Sequence, residues 1–154
     1  MKIVLQRVAQ AHVDIDNACV GRIEKGYVLL LGLEEGDHAR LIEPVVDKIL
    51  KIKLFSDENG RFAHSIQEIS GKLLVISQFT LFADLKKGKK PSLSKALDPD
   101  RAKQLYEQFL EELQNRQIPV ETGEFGAAMQ VHIQNDGPVT IILNSRELFP
   151  SLHQ

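Results

Sequence analysis

At 154 residues, 43% hydrophobic and 26% charged, the chain has the composition of a soluble globular protein and the length for one domain whose core needs neither disulfide nor metal. Its single cysteine, Cys19, excludes an intrachain disulfide and a cysteine metal cluster, and suits a reducing, cytoplasmic setting. A formal net charge of −2 gives no global attraction for nucleic acid, and the early charges and short apolar runs argue against a signal peptide or membrane span.

Residues 2–9 and 11–15 read as two short strands, with Ile3 and Leu5, then Val13 and Ile15, alternating with polar positions. Asp16-Asn17 forms a hairpin turn into Cys19–Ile23. Tyr27 to Leu33, preceded by Gly26, is too apolar to be half exposed and reads as a central strand. Leu41, Ile42, Val45, Val46, Ile49 and Leu50 then recur at helical spacing. Pro44 demands either a helix that starts near it or a kink. Asp57-Glu58-Asn59-Gly60 is a turn between Leu54-Phe55 and Phe62.

Leu73 to Ile76 is an unbroken apolar run, a strand buried on both faces, and it meets Ser77, Gln78 and Thr80 abruptly. Hydroxyl and amide groups at the rim of an apolar layer are how ligand pockets are commonly furnished. The plainer alternative is ordinary polarity at a strand end. Lys86-Lys87-Gly88-Lys89-Lys90-Pro91 is a loop with four lysines in five residues, either a polyanion-steering patch or a solvated surface. Asp98-Pro99 is an N-cap followed by a first-turn proline. The helix it opens carries Ala102, Leu105, Tyr106, Phe109, Leu110 and Leu113 on one face and ends before Pro119. Met129, Val131 and Ile133 alternate with polar residues in a half-buried strand, Asn135–Pro138 reads as a turn, and Val139–Leu143 is the last strand. Asn144 to Gln154 reads as a loosely held tail. The sum is α+β: one domain over 1–145, with a tail at 146–154, built on a curved, barrel-like, mainly antiparallel sheet with two helices packed outside.

No catalytic triad is legible. Neither Ser77 nor Thr80 sits in a nucleophile elbow, and the histidines at 12, 38, 64, 132 and 153 have no motif spacing. His132 falls on the solvent face of its strand and reads as a surface residue. Metal motifs are lacking, and Gly123-Glu124-Phe125-Gly126 follows no strand-to-helix switch, so it makes a poor dinucleotide site.

Ser77-Gln78-Phe79-Thr80-Leu81 and Asn135-Asp136-Gly137-Pro138-Val139-Thr140 nevertheless resemble, in order, the two signature motifs of the D-aminoacyl-tRNA deacylases. Gln6-Arg7-Val8, Phe55-Ser56-Asp57 and Phe125–Val131 match the same pattern, so the resemblance spans nearly the whole chain. It implies a hydrolase that cleaves the ester of D-aminoacyl-tRNA, and of mischarged glycyl-tRNA, as chiral proofreading in translation. It also implies a homodimer with the site at the subunit interface, and no cofactor, metal, membrane or DNA partner. Ser77, Gln78 and Thr80 are then the catalytic candidates, Thr80 as nucleophile or only as pocket wall, while Phe79 and Met129 contact the aminoacyl-adenosine end. Gly137-Pro138, with a cis bond, would reach into the partner's pocket and exclude L-amino acids. Lys86, Lys87, Lys89 and Lys90 are candidate tRNA phosphate contacts. Lys90-Pro91-Ser92-Leu93 stands where many members have Arg-Pro-Ser-Phe, and lysine cannot reproduce a bidentate arginine contact. From other classes, the residues also allow a non-catalytic RNA- or nucleotide-binding module, with Phe79 stacking on a base, or a small-molecule esterase.

Overall fold

Strand β1, Lys2–Ile15, is the spine of the sheet, and it is one strand of 14 residues where two short ones are expected. In the computed structural model, which describes residues 1–154, its first half pairs antiparallel with β3 (Gly26–Gly32) and its second half with β2 (Ala18–Ile23). β8, Gln130–Asn144, runs antiparallel along the other edge. The two halves of β1 look separate in sequence because Ala9 and Gln10, both exposed, interrupt the alternation of buried residues. Ile3 and Leu5 point into a core of 24 residues, whereas Val8, Ala11 and Val13 point into a second cluster of seven. The change coincides with register shifts against β8 between Gln6 and Gln10, as an irregular ladder requires. Asp16 and Asn17, both at positive φ (49° and 63°), close the β1–β2 hairpin as expected.

β3 and β6 (Lys72–Ser77) are buried throughout most of their length for a shared reason. Tyr27, Leu29, Leu31, Leu73 and Val75 face the larger core, while Val28, Leu74 and Ile76 face the smaller. The two strands are parallel, and β6 is parallel again to β7 (Val120–Thr122). The sheet, in the order β2-β1-β3-β6-β7 with β8 on β1, is therefore mixed and bends into a nearly closed barrel. Parallel neighbours need a crossover. The first runs through α1 (Ile42–Lys51) and the small hairpin of β4 (Lys53–Ser56) and β5 (Phe62–Ser65); the second runs through α2 (Pro99–Asn115). Pro44 lies in the first turn of α1, where its missing N–H costs no helical hydrogen bond. Asp98 caps α2, its Oδ1 accepting from the amides of Asp100 and Arg101 at 3.1 and 3.2 Å. Tyr106, Phe109 and Leu113 bury the inner face of α2. No helix is long and apolar enough to cross a membrane.

Two expectations need correction. Asn135–Pro138 is not a turn between two strands but a bulge inside the single strand β8. Between the pairs Gln6–Thr140 and Val8–Asn135, two steps along β1 face five along β8, so three surplus residues are pushed out of the ladder. The C-terminal stretch is also not loose. Asn144 caps a third, short helix, α3 (Ser145–Leu148), and a 3-10 turn at Pro150–His153 follows. Phe149 and Leu152 pack on the larger core, and Ser145 Oγ lies 2.9 Å from His153 Nε2. Burial holds the His153 imidazolium below its ordinary pKa. The apolar residues of this segment are too few for a periodic pattern, which hides its docking from a reading of the sequence.

Candidate active site

The buried run of β6 ends at Ser77, and the chain turns at once into a 3-10 turn, Phe79–Phe82. The turn is anchored at Gln78, whose amide donates to the Leu31 carbonyl at 2.8 Å, beside the end of β3. Gly32 allows this approach: a Cβ there would meet the Gln78 carbonyl oxygen and Leu81 Cβ at 3.0 Å. As the first residues of the turn, Phe79 and Thr80 have backbone N–H groups with no acceptor inside it. Gln78 Nε2 donates to Thr80 Oγ1, which ties the two polar side chains together.

Against this turn lies a cavity of about 450 Å³, within the range of small-molecule sites. Ser77 and Phe79 line one side, and Leu31 and Leu33 lie beneath. The rest of the wall is Leu93, Ala96 and Leu97 from the loop before α2, Asp98, Pro99 and Ala102 from the start of α2, and Phe125–Ala127 with Met129. Ten of the fourteen lining residues are hydrophobic, and none is histidine or lysine. The only charged one, Asp98, is occupied as the cap of α2. Phe79 stays 55% exposed, an aromatic face at the mouth. Tyr106 locks the geometry from behind. Its hydroxyl donates to the Val75 carbonyl at 3.0 Å, its ring packs on Phe125 at 5.6 Å, and burial pushes its pKa up to about 12.

Of the residues singled out from sequence, Ser77, Phe79 and Met129 therefore meet at one cavity, with Gln78 and Thr80 in the same turn but outside its lining. The lysines 86, 87, 89 and 90 are exposed on a loop closed by the two-way backbone pairing of Asp84 with Ser92. The amide of Lys86 and the ammonium of Lys95 hold the Asp84 carboxyl below its usual range. Leu93, just past that loop, is already cavity wall, so the basic loop rises from the cavity's edge.

Gly137-Pro138 stands elsewhere, at the crest of the β8 bulge, exposed and joined by a cis peptide bond. Its support is Arg7, 8% exposed, whose Nε donates to the Asp136 carbonyl at 3.0 Å and whose Nη1 donates to the Leu54 carbonyl at 2.6 Å. Arg7 thus fastens the bulge to β4, a role that sequence reasoning missed. The signal was a charged residue at a core-facing position of an otherwise apolar strand, between Leu5 and Val8. Loop residues Leu93, Ala96 and Leu97 were missed too, and nothing local to them marks a wall.

The model of the D-Tyr-tRNA(Tyr) deacylase family matches residues 4–144. Among curated proteins, the D-aminoacyl-tRNA deacylase of Lactobacillus gasseri is 49% identical over 94% of this chain and 99% of its own length. That of Aquifex aeolicus is 48% identical over 96% of this chain and its full length. Among solved structures, the c-Myc DNA unwinding element binding protein superposes with a TM-score of 0.87 at 40% identity, over 94% of this chain and 99% of its own. A probable eukaryotic D-amino acid tRNA deacylase shares the fold at 17% identity, with a TM-score of 0.78 over 92% of this chain and 97% of its own. With the signature segments 77–81 and 135–140 both inside a match that runs from β1 to the end of β8, the chain belongs to the D-Tyr-tRNA(Tyr) deacylase family.

Proposed function

We propose that the protein hydrolyses the ester that joins a D-amino acid, or glycine, to the 3′-terminal adenosine of tRNA, and leaves L-aminoacyl-tRNA intact. The observation that carries this reading is the character of the cavity. It is an apolar chamber with Ser77 at its edge, set against a 3-10 turn whose first two amides have no acceptor within the turn, and no imidazole or ammonium lines it. An aminoacyl ester is already activated, so its hydrolysis needs positioning and stabilisation of the developing oxyanion more than a strong base. Phe79 stacks on the terminal adenine, Met129 and the apolar wall receive the aminoacyl end, and the amides of Phe79 and Thr80 meet the oxyanion. Water attacks the carbonyl carbon, the ester C–O bond breaks, and the ribose oxygen leaves with a proton. The protein acts as a homodimer in the cytoplasm, where Gly137-Pro138 of each subunit enters the other's cavity and its backbone fills the direction an L side chain would take. A deacylation assay with matched D-, L- and glycyl-tRNA tests the reading. Turnover of the D and glycyl esters with the L ester spared is expected; binding without turnover, or indifference to the tRNA moiety, would overturn it.

Thr80 serves in this scheme as part of the turn, since its hydroxyl is engaged by Gln78 and no base lines the cavity. Single-turnover deacylation by Thr80→Ala is expected to stay within about tenfold of wild type, whereas loss of a true nucleophile or acid–base group removes ~10²–10⁴ in rate. A fall of that size with tRNA affinity intact makes Thr80 the nucleophile. The lysine loop, in contrast, serves affinity alone. Lys87→Ala/Lys89→Ala is expected to flatten the slope of log K against log salt by about 0.7–0.9 for each phosphate no longer neutralised. An unchanged slope reduces the loop to a solvated surface.

A further inference from the structure

On the outer face of the barrel, away from the cavity, the β1–β8 ladder assembles a second cluster. His12 and His132 are directly opposed in the register. Their rings stack with centroids 4.2 Å apart and planes 10° from parallel. Asp14, two residues along β1 from His12 and so on the same face, places Oδ2 at 3.1 Å from His132 Nε2 and 3.7 Å from His12 Nε2. One ligand atom from each of the three lies within 4.8 Å of the other two. The neighbouring positions Ala11 and Val13 point the other way, into the smaller core, which fixes the side from which the cluster faces solvent.

We propose that His12, Asp14 and His132 form a binding site for one divalent first-row transition metal ion, with zinc the best fit. Two imidazoles and one carboxylate are the donor set that zinc, cobalt and nickel favour. Ligand atoms at ~2.0–2.1 Å from a tetrahedral zinc stand roughly 3.3 Å apart. The two nitrogen-to-carboxylate separations, 3.1 and 3.7 Å, bracket that value. The stacked rings send their lone pairs side by side, so closing on one ion needs each ring to tilt, a motion the broad χ2 well of histidine permits. Side-chain exposures of 26, 21 and 49% leave an approach from solvent. Gln10 and Gln134, hydrogen-bonded at 2.8 Å two rungs along the ladder, border a shallow depression beside His12 and His132, where a water would complete the shell. With ligands on two strands, the ion is a clamp across the β1–β8 ladder, and it has no part in the hydrolysis.

Calorimetric titration of the metal-free full-length protein with ZnCl2 tests this, together with the visible spectrum after addition of CoCl2. Saturable binding of one zinc per chain is expected, together with cobalt d–d bands that zinc abolishes. His132→Gln and Asp14→Asn should each weaken zinc binding at least tenfold, and His12→Gln/His132→Gln should abolish it. The melting temperature of the wild type, but not of that double variant, should rise with zinc concentration. His38→Gln/His153→Gln removes the other close histidine pair, whose ring centroids are 6.2 Å apart, and should leave binding unchanged. No saturable binding by the wild type, or equal binding by the folded His12→Gln/His132→Gln protein, overturns the site. Loss of binding in the His38→Gln/His153→Gln variant assigns the ion there and overturns it as well. The cobalt spectrum of the wild type decides even if a variant fails to fold.

Discussion

Gly137→Ala is expected to lower discrimination between D- and L-aminoacyl-tRNA by at least about tenfold, equivalent to 1.4 kcal/mol of differential binding, while the protein stays folded. Gly137 has φ +131°, a conformation that costs an L-residue ~1–3 kcal/mol. A Cβ would also lie 2.8 Å from Val139 Cγ2 and from the Val139 nitrogen, and 3.1 Å from Arg7 Nη2. Backbone atoms and a buried guanidinium cannot all yield, so the crest of the bulge must move, and the hydrogen bond from Arg7 to the Asp136 carbonyl moves with it. Under the proposed mechanism that backbone is the barrier against the L side chain. A site that accepts glycine and many D side chains cannot select by fitting the side chain; it selects by blocking one direction. Initial rates on paired D- and L-aminoacyl-tRNA, with the oligomeric state checked by size exclusion, measure the ratio. A folded variant with wild-type selectivity removes the bulge from chiral recognition.

The largest stability loss is expected at Gly26, far from any reacting group. This residue opens β3 opposite Val8 of β1 on one side and Lys72 of β6 on the other. A Cβ there would sit 1.8 Å from the Lys72 carbonyl oxygen and 2.8 Å from its carbon and nitrogen. These are backbone atoms, so no rotamer change relieves the clash and the start of the parallel ladder must open. Gly26→Ala should lose at least about 3 kcal/mol, a large part of the 5–15 kcal/mol that stabilises a domain. Gly60 and Gly88 are the controls. Both have positive φ with nothing within 4 Å of an added methyl, so alanine there carries only the local strain, about 1–2 kcal/mol. Urea unfolding compares the three. A loss below about 1 kcal/mol at Gly26 would mean that β3 and β6 adjust independently. Because β6 ends in Ser77, activity should fall with the folded fraction.

Local chemistry explains why much of the fold is readable in the chain itself. The Asp16-Asn17 and Asp57–Gly60 turns, the cap at Asp98 with its first-turn proline, and the unbroken apolar runs of β3 and β6 each depend on residues within a few positions. Local rules suffice for these, and the structure agrees with them. The end of the buried strand at Ser77 was legible on the same basis: an apolar strand that abruptly gains hydrogen-bonding side chains is leaving a core.

What only the tertiary structure decided are the features that depend on pairing between distant segments. The two halves of β1 form one strand because the ladder with β8 continues past the exposed pair Ala9-Gln10, while the change from one core to the other falls just before it, between Leu5 and Val8. The polar turn at Asn135–Pro138 is a bulge because β1 runs past it unbroken and holds β8 on both sides. Two parallel pairings arise from crossovers whose partners lie more than forty residues apart. Arg7 is buried because Leu54 and Asp136 offer it carbonyls, and neither is near it in the chain. His12 and His132, separated by 120 positions, face each other solely through the antiparallel register. Sequence determines local conformation through short-range sterics, hydrogen bonding and apolar periodicity; which distant groups share a site follows from how the strands are aligned, and that is set by the packing of two cores at once.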